Sequence, residues 1–136
     1  MNYLLDTNII SELKRPKPNQ QVLDWFSTVP KESLYLSVMT LGEIRKGINK
    51  LPDGQKKQAL TNWLEKDIPL WFDSRLLTID IGVADYWGQL QAQLTRPLPA
   101  IDSLIAATAL YHNLCLVTRN VNDFDYPNLN LLNLWD

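Results

Sequence analysis

At 136 residues the chain is the size of one ordinary domain, and its 46% apolar and 21% charged content is normal for a folded globular protein. Thirteen basic and fifteen acidic residues leave a formal charge of −2 with a pI near 5.3. That balance excludes a protein that coats nucleic acid non-specifically, so any affinity for phosphates must come from local positive charge. A single cysteine and a single histidine, Cys115 and His112, exclude a disulfide framework and any histidine-pair mechanism, and they argue against structural zinc.

In chain order, Met1 to Asp6 has neither the basic residues nor the length of a signal peptide or membrane span. We therefore expect a cytoplasmic protein with no membrane association. Tyr3-Leu4-Leu5 reads as the first strand. A helix follows from about Asn8 to Lys14, Lys14-Arg15-Pro16-Lys17-Pro18 breaks it, and a second runs from about Asn19 to Ser27. Leu34-Tyr35-Leu36 is the second strand, and Ser37 is a good N-cap for a helix to about Leu51. A long helix is expected from roughly Gly54 to Trp71, with Trp63 and Leu64 on its apolar face. Leu76 to Ile79 is the third strand, Asp80 caps a helix to about Leu94, and Pro99 opens another that ends near His112-Asn113. Leu114 to Val117 and Leu129 to Leu132 complete the strands, with Cys115 expected as a buried small apolar side chain.

Short strands alternating with helices, and lacking polar/apolar alternation, predict an α/β fold. We expect three layers, α/β/α, around a short, mostly parallel sheet of four to five strands, in a single domain over 1–136. In such sheets, sites form outside the carboxyl ends of the strands.

Four carboxylates stand out. Asp6 follows the first strand, where it caps a helix or serves a site. Asp123 follows the fourth strand in Thr118-Arg119-Asn120-Val121-Asn122-Asp123-Phe124, among residues common in any loop. Asp102 lies in the first turn of the helix opened by Pro99, where a carboxylate suits the helix dipole whatever its job. Leu41, Ile44, Ile48 and Leu51 form an apolar stripe, and Glu43 lies off it beside Lys46. Periodicity leaves Glu43 either a solvated partner of Lys46 or a site acid. Each acid comes from a different element, and Ala106, Ala107 and Ala109 would let the Asp102 helix pack close to the sheet.

Together Leu5-Asp6-Thr7-Asn8, Leu41-Gly42-Glu43-Ile44, Ile101-Asp102-Ser103-Leu104-Ile105-Ala106-Ala107-Thr108-Ala109 and Val117-Thr118-Arg119-Asn120…Asp123-Phe124 resemble the PIN-domain nucleases. More narrowly, the chain is similar to VapC-type toxins of bacterial toxin–antitoxin pairs, with four motifs in order over its whole length. The resemblance implies an endoribonuclease with catalytic, metal-holding acids at Asp6, Glu43, Asp102 and Asp123. It places a polar second shell at Thr118 and Asn120, joined by Asn8, and leaves Asp125 and Glu12 as rival acids. It also implies a homodimer, a cognate antitoxin and a larger complex of the two.

Crowded carboxylates repel: two unit charges at roughly 4 Å cost about 4 kcal/mol at an effective dielectric near 20. Mg2+ or Mn2+ would offset this, because hard cations take oxygen ligands. Lys14, Arg15 and Lys17 follow the Asp6 helix, Arg45, Lys46 and Lys50 flank Glu43, and Arg119 precedes Asp123. Of these, Arg15, Arg45, Lys46, Lys50 and Arg119 are candidate RNA contacts, whereas Tyr3, Trp71, Trp87 and Tyr111 read as core or interface residues.

Other readings stay open: a PIN nuclease that processes RNA or cuts DNA, and a non-catalytic PIN-like binding module. A haloacid-dehalogenase-like phosphatase would want a second acid where Asn8 stands, and a receiver domain would want an acidic pair and a lysine that the chain lacks.

Overall fold

The structure, a computed structural model, describes residues 1–96 and 98–135. Five strands form one sheet: β1 (Tyr3–Leu5), β2 (Leu34–Ser37), β3 (Leu76–Leu77), β4 (Cys115–Val117) and β5 (Leu131–Leu132). Their order is β3-β2-β1-β4-β5, and every adjacent pair is parallel. Among the described residues seven α-helices connect them: α1 (Thr7–Glu12), α2 (Gln20–Thr28), α3 (Val38–Asn49), α4 (Gln55–Asn62), α5 (Ile68–Phe72), α6 (Ile81–Gln93) and α7 (Ala100–Tyr111). The predicted α/β/α architecture is borne out. No helix among the described residues is long and apolar enough to cross a membrane.

Alternation along each strand builds two cores. Leu5, Leu34, Leu36 and Val117 face one side, where they meet Ile9, Ile10, Val22, Ile44, Ile48, Trp63, Ile68 and Phe72 from α1 to α5. Leu4 and Leu116 face the other, against Leu90, Ile105, Ala106, Ala107 and Ala109 of α6 and α7, with Phe124 and Tyr126. Both sheet faces are thus covered, which is why the strands carry no polar alternation. The three alanines are fully buried and bring α7 close against the sheet.

The sequence places the helix starts through their caps. Asp6, Asn19, Ser37 and Asp80 each accept a hydrogen bond from a first-turn amide of the helix that follows. Asn113, at φ 56°, turns the chain from α7 into β4. The predicted long helix is interrupted by a π-helical turn, Trp63–Asp67, between α4 and α5. Pro69 explains it: proline has no amide proton and its ring crowds the carbonyl four residues back, so the preceding turn widens. The third strand pairs only over Leu76–Leu77 and the fifth over Leu131–Leu132, shorter than their apolar runs suggest.

The strand order reverses between β1 and β4. In parallel sheets such a reversal is where the loops leaving the carboxyl ends diverge and sites form.

Candidate active site

Asp6 stands at that reversal. Its amide donates to the Val117 carbonyl at 2.9 Å, locking the end of β1 to β4. Oδ1 accepts from the Thr7 amide at 2.8 Å; Oδ2 accepts from Thr118 Oγ1 at 2.8 Å and from Asn8 Nδ2 at 3.1 Å. The capping and site readings of Asp6 are therefore both realised in one side chain. Asn8 also accepts from the Arg119 amide at 3.1 Å, and Thr118 Oγ1 accepts from the Asn120 amide at 3.0 Å. Asn8 and Thr118 thus touch Asp6 directly, whereas Asn120 acts through its backbone on Thr118.

Glu43 projects from the second turn of α3 and is half-buried. Its Oε1 accepts from Thr7 Oγ1 at 2.6 Å, and among the described residues it forms no ion pair with Lys46. Thr7, which the sequence reading passed over, therefore touches both Asp6 and Glu43. Its position directly after the first acid was the available signal. Asp102 lies in the first turn of α7, steadied by its neighbour: Ser103 Oγ accepts from Trp87 Nε1 of α6 and donates to the Ala100 carbonyl, both at 2.8 Å. Asp123 is exposed in a 3-10 turn, Val121–Phe124, anchored by the buried Phe124 ring.

The electrostatics bring the four acids together. Burial raises the Asp6 carboxyl above its ordinary range; bonds from Thr118, Thr7 and Asn8 oppose this and the Glu43 charge adds to it. Asp102 is also raised, first by burial and then by the charges of Asp6, Glu43 and Asp123. The charges of the other three thus act on Asp102, although among the described residues no three His, Cys, Asp or Glu side chains converge closely enough to hold a metal ion.

The donor set fits a hard divalent cation. Every candidate ligand is a carboxylate oxygen, and a carboxylate offers about four lone-pair sites. Asp6 accepts three hydrogen bonds and keeps room for one further contact. Among the described residues, the carboxylates of Asp102 and Asp123 accept none.

The rivals sort differently. Glu12 is buried with both oxygens engaged, by the Asn19 amide at 2.8 Å and by Arg15 at 3.3 Å, so it fastens the α1–α2 junction. Asp125 joins Asp102, Asn122, Asp123 and Arg96 around a cavity of about 390 Å3. Arg45 is paired with Glu65 at 2.6 Å, and Arg119 lies over the Trp135 ring at 5.0 Å. Two grooves share Glu43 as a wall. One holds Lys14, Arg15 and Lys56, the other Lys46 and Lys50. Tyr3 packs edge-on against Trp25, and Trp71 against Phe26 and Phe72, while Tyr111 is half exposed. Cys115 is buried, as expected.

A parallel sheet carrying an acidic crevice at its reversal point is the arrangement of the PIN domain, whose family model matches residues 3–126; the chain belongs to that family. It is similar to the toxin FitB of Neisseria gonorrhoeae, 38% identical over 97% of each chain. It also resembles the VapC ribonuclease Y4jK of Sinorhizobium fredii, 33% identical over 98% of this chain and 97% of that one. The crystal structure of FitAcB from Neisseria gonorrhoeae matches with a TM-score of 0.90 at 38% identity, covering 98% of both chains. The family resemblance carried by the four motifs is thereby borne out.

Proposed function

We propose that the protein is a metal-dependent endoribonuclease, the toxin of a toxin–antitoxin pair, acting through Asp6, Glu43, Asp102 and Asp123. The observation that carries this reading is the gathering of acids from four elements: Thr7 ties Asp6 to Glu43 through bonds of 2.8 and 2.6 Å, and Asp102 and Asp123 line one cavity. A groove for phosphates gains nothing from uncompensated negative charge, whereas a cation site requires it. The relatives named as toxin and ribonuclease support the biological role.

In this reading the four acids hold Mg2+ or Mn2+, which when bound lowers the pKa of water and stabilises charge on the scissile phosphate. Thr118 and Asn8 favour the ionised form of Asp6 against its burial and aim it by donating to Oδ2. Lys46 and Lys50 on one flank, with Lys14, Arg15 and Lys56 on the other, attract the phosphate backbone to the crevice. Arg15 and Arg45 are each held in an ion pair, with Glu12 and Glu65, and add their charge from those positions. A cognate antitoxin would silence the site by covering it, and the toxin would act as a homodimer.

Total cellular RNA incubated with the purified protein, with Mg2+ or Mn2+ and then with chelator, tests this. The expected result is metal-dependent cuts leaving 5′-phosphates, abolished in Asp6→Asn. Asparagine caps a helix as well as aspartate does, so that variant stays folded. Undiminished cleavage by Asp6→Asn would sink the mechanism.

A further inference from the structure

Thr7 links two acids that lie on different elements. Its amide donates to Asp6 Oδ1 at 2.8 Å and its hydroxyl donates to Glu43 Oε1 at 2.6 Å. The second length is typical of a hydroxyl donating to an ionised carboxylate. A hydroxyl carries one proton, which the shorter bond gives to Glu43, so Thr7 Oγ1 is left to accept along its longer contact, 3.4 Å from Thr40 Oγ1. Thr40 is fully buried in α3. Thr40 therefore sits where it can hold the Thr7 hydroxyl with its proton on Glu43. Glu43 itself is a long side chain beside Gly42, Lys46 and Gly47, and among the described residues Thr7 is its one hydrogen-bonding partner. No other hydrogen bond among the described residues selects a single carboxylate orientation.

We propose that Thr7 is a positioning residue that fixes the Glu43 carboxylate against Asp6, so that the pair presents its free oxygens to a divalent cation, with Thr40 holding the Thr7 hydroxyl in register. This role rests on the metal-dependent reading above.

Valine has the shape of threonine without its donor, and serine keeps the donor, so the pair of substitutions separates hydrogen bonding from bulk. Mn2+ affinity is measured by calorimetry on the full chain for wild type, Thr7→Val, Thr7→Ser and Thr40→Val, with metal-free thermal melts as the folding control. Thr7→Val should bind Mn2+ about 10–100-fold more weakly, the usual effect of losing a group that orients a ligand. Its kcat should fall while KM for RNA stays put. Thr7→Ser should recover most of the affinity, and Thr40→Val should fall between. A folded Thr7→Val with wild-type Mn2+ affinity overturns the role of Thr7 alone, as does a Thr7→Ser no better than Thr7→Val. Should Thr7→Val fail to fold, Thr40→Val decides: weakened binding supports the relay and wild-type affinity overturns it. Wild-type protein that cuts RNA without taking up Mn2+ overturns the metal reading and the Thr7 role together.

Discussion

Asp102 shows what crowding acids together costs a folded chain. Its carboxyl is held above its ordinary value of 3.8 by burial and by three like charges, and Asp6 is raised as well. A carboxyl whose folded pKa exceeds its unfolded one binds its proton more tightly when folded. Its contribution to stability is complete below the unfolded value and is lost as pH rises through the folded one. In chelator, then, these two acids make the protein lose stability as pH climbs from about 3.8 toward neutrality. Asp102→Asn should raise the urea midpoint of the chelated protein near neutral pH and flatten that pH dependence, while cleavage drops by about 100-fold or more, since even groups outside the ligand shell are worth about 10–100-fold. A midpoint lowered by the substitution would contradict this crowding. None of this was visible in periodicity, which left Glu43 undecided between a solvated pair with Lys46 and a site acid. The places of Asp6 and Asp123 after strands and the four motifs in order pointed to the site, and Thr7 was hidden because a threonine after a helix cap is unremarkable in sequence.

At the level of elements, the caps and apolar runs were legible because they are local. Asp6, Asn19, Ser37 and Asp80 cap helices as their side chains suggested. The pairing lengths of β3 and β5 were not, because they depend on neighbours distant in sequence. The π turn at Trp63–Asp67 was missed for a related reason: a proline in a helical pattern announces a disturbance but not its form. Helix α7 shows how packing serves the site. Ala106 is fully buried between α7 and the sheet, and Asp102 sits one turn earlier on the same helix. Ala106→Leu should push α7 outward, costing about 1–3 kcal/mol in chemical unfolding and moving Asp102 away from the other acids. Cleavage should therefore fall in the fraction that remains folded, and full activity there would show that α7 tolerates displacement.

Across the whole molecule, a charge of −2 conceals an uneven distribution. The acids are gathered at the reversal of strand order, and cations line the grooves on either side of Glu43. On the proposed reading, such an arrangement gives RNA affinity that depends on salt and on few side chains. Replacing Lys46 and Lys50 with alanine in the inactive Asp6→Asn background should weaken RNA binding. The slope of log affinity against log salt should shrink by about 0.7 per lysine, the value for single strands. An unchanged slope would remove these lysines from the RNA path.

The sheet is bounded by its two shortest strands, β3 and β5, each only two residues long. An edge of that length offers too few free amide and carbonyl groups to template another strand. Association by sheet extension is thereby discouraged on both sides, whether between copies of the chain or in misfolded aggregates. A partner must instead dock onto helices and side chains, so its specificity is written in surface residues that can diverge without disturbing the backbone that holds the four acids.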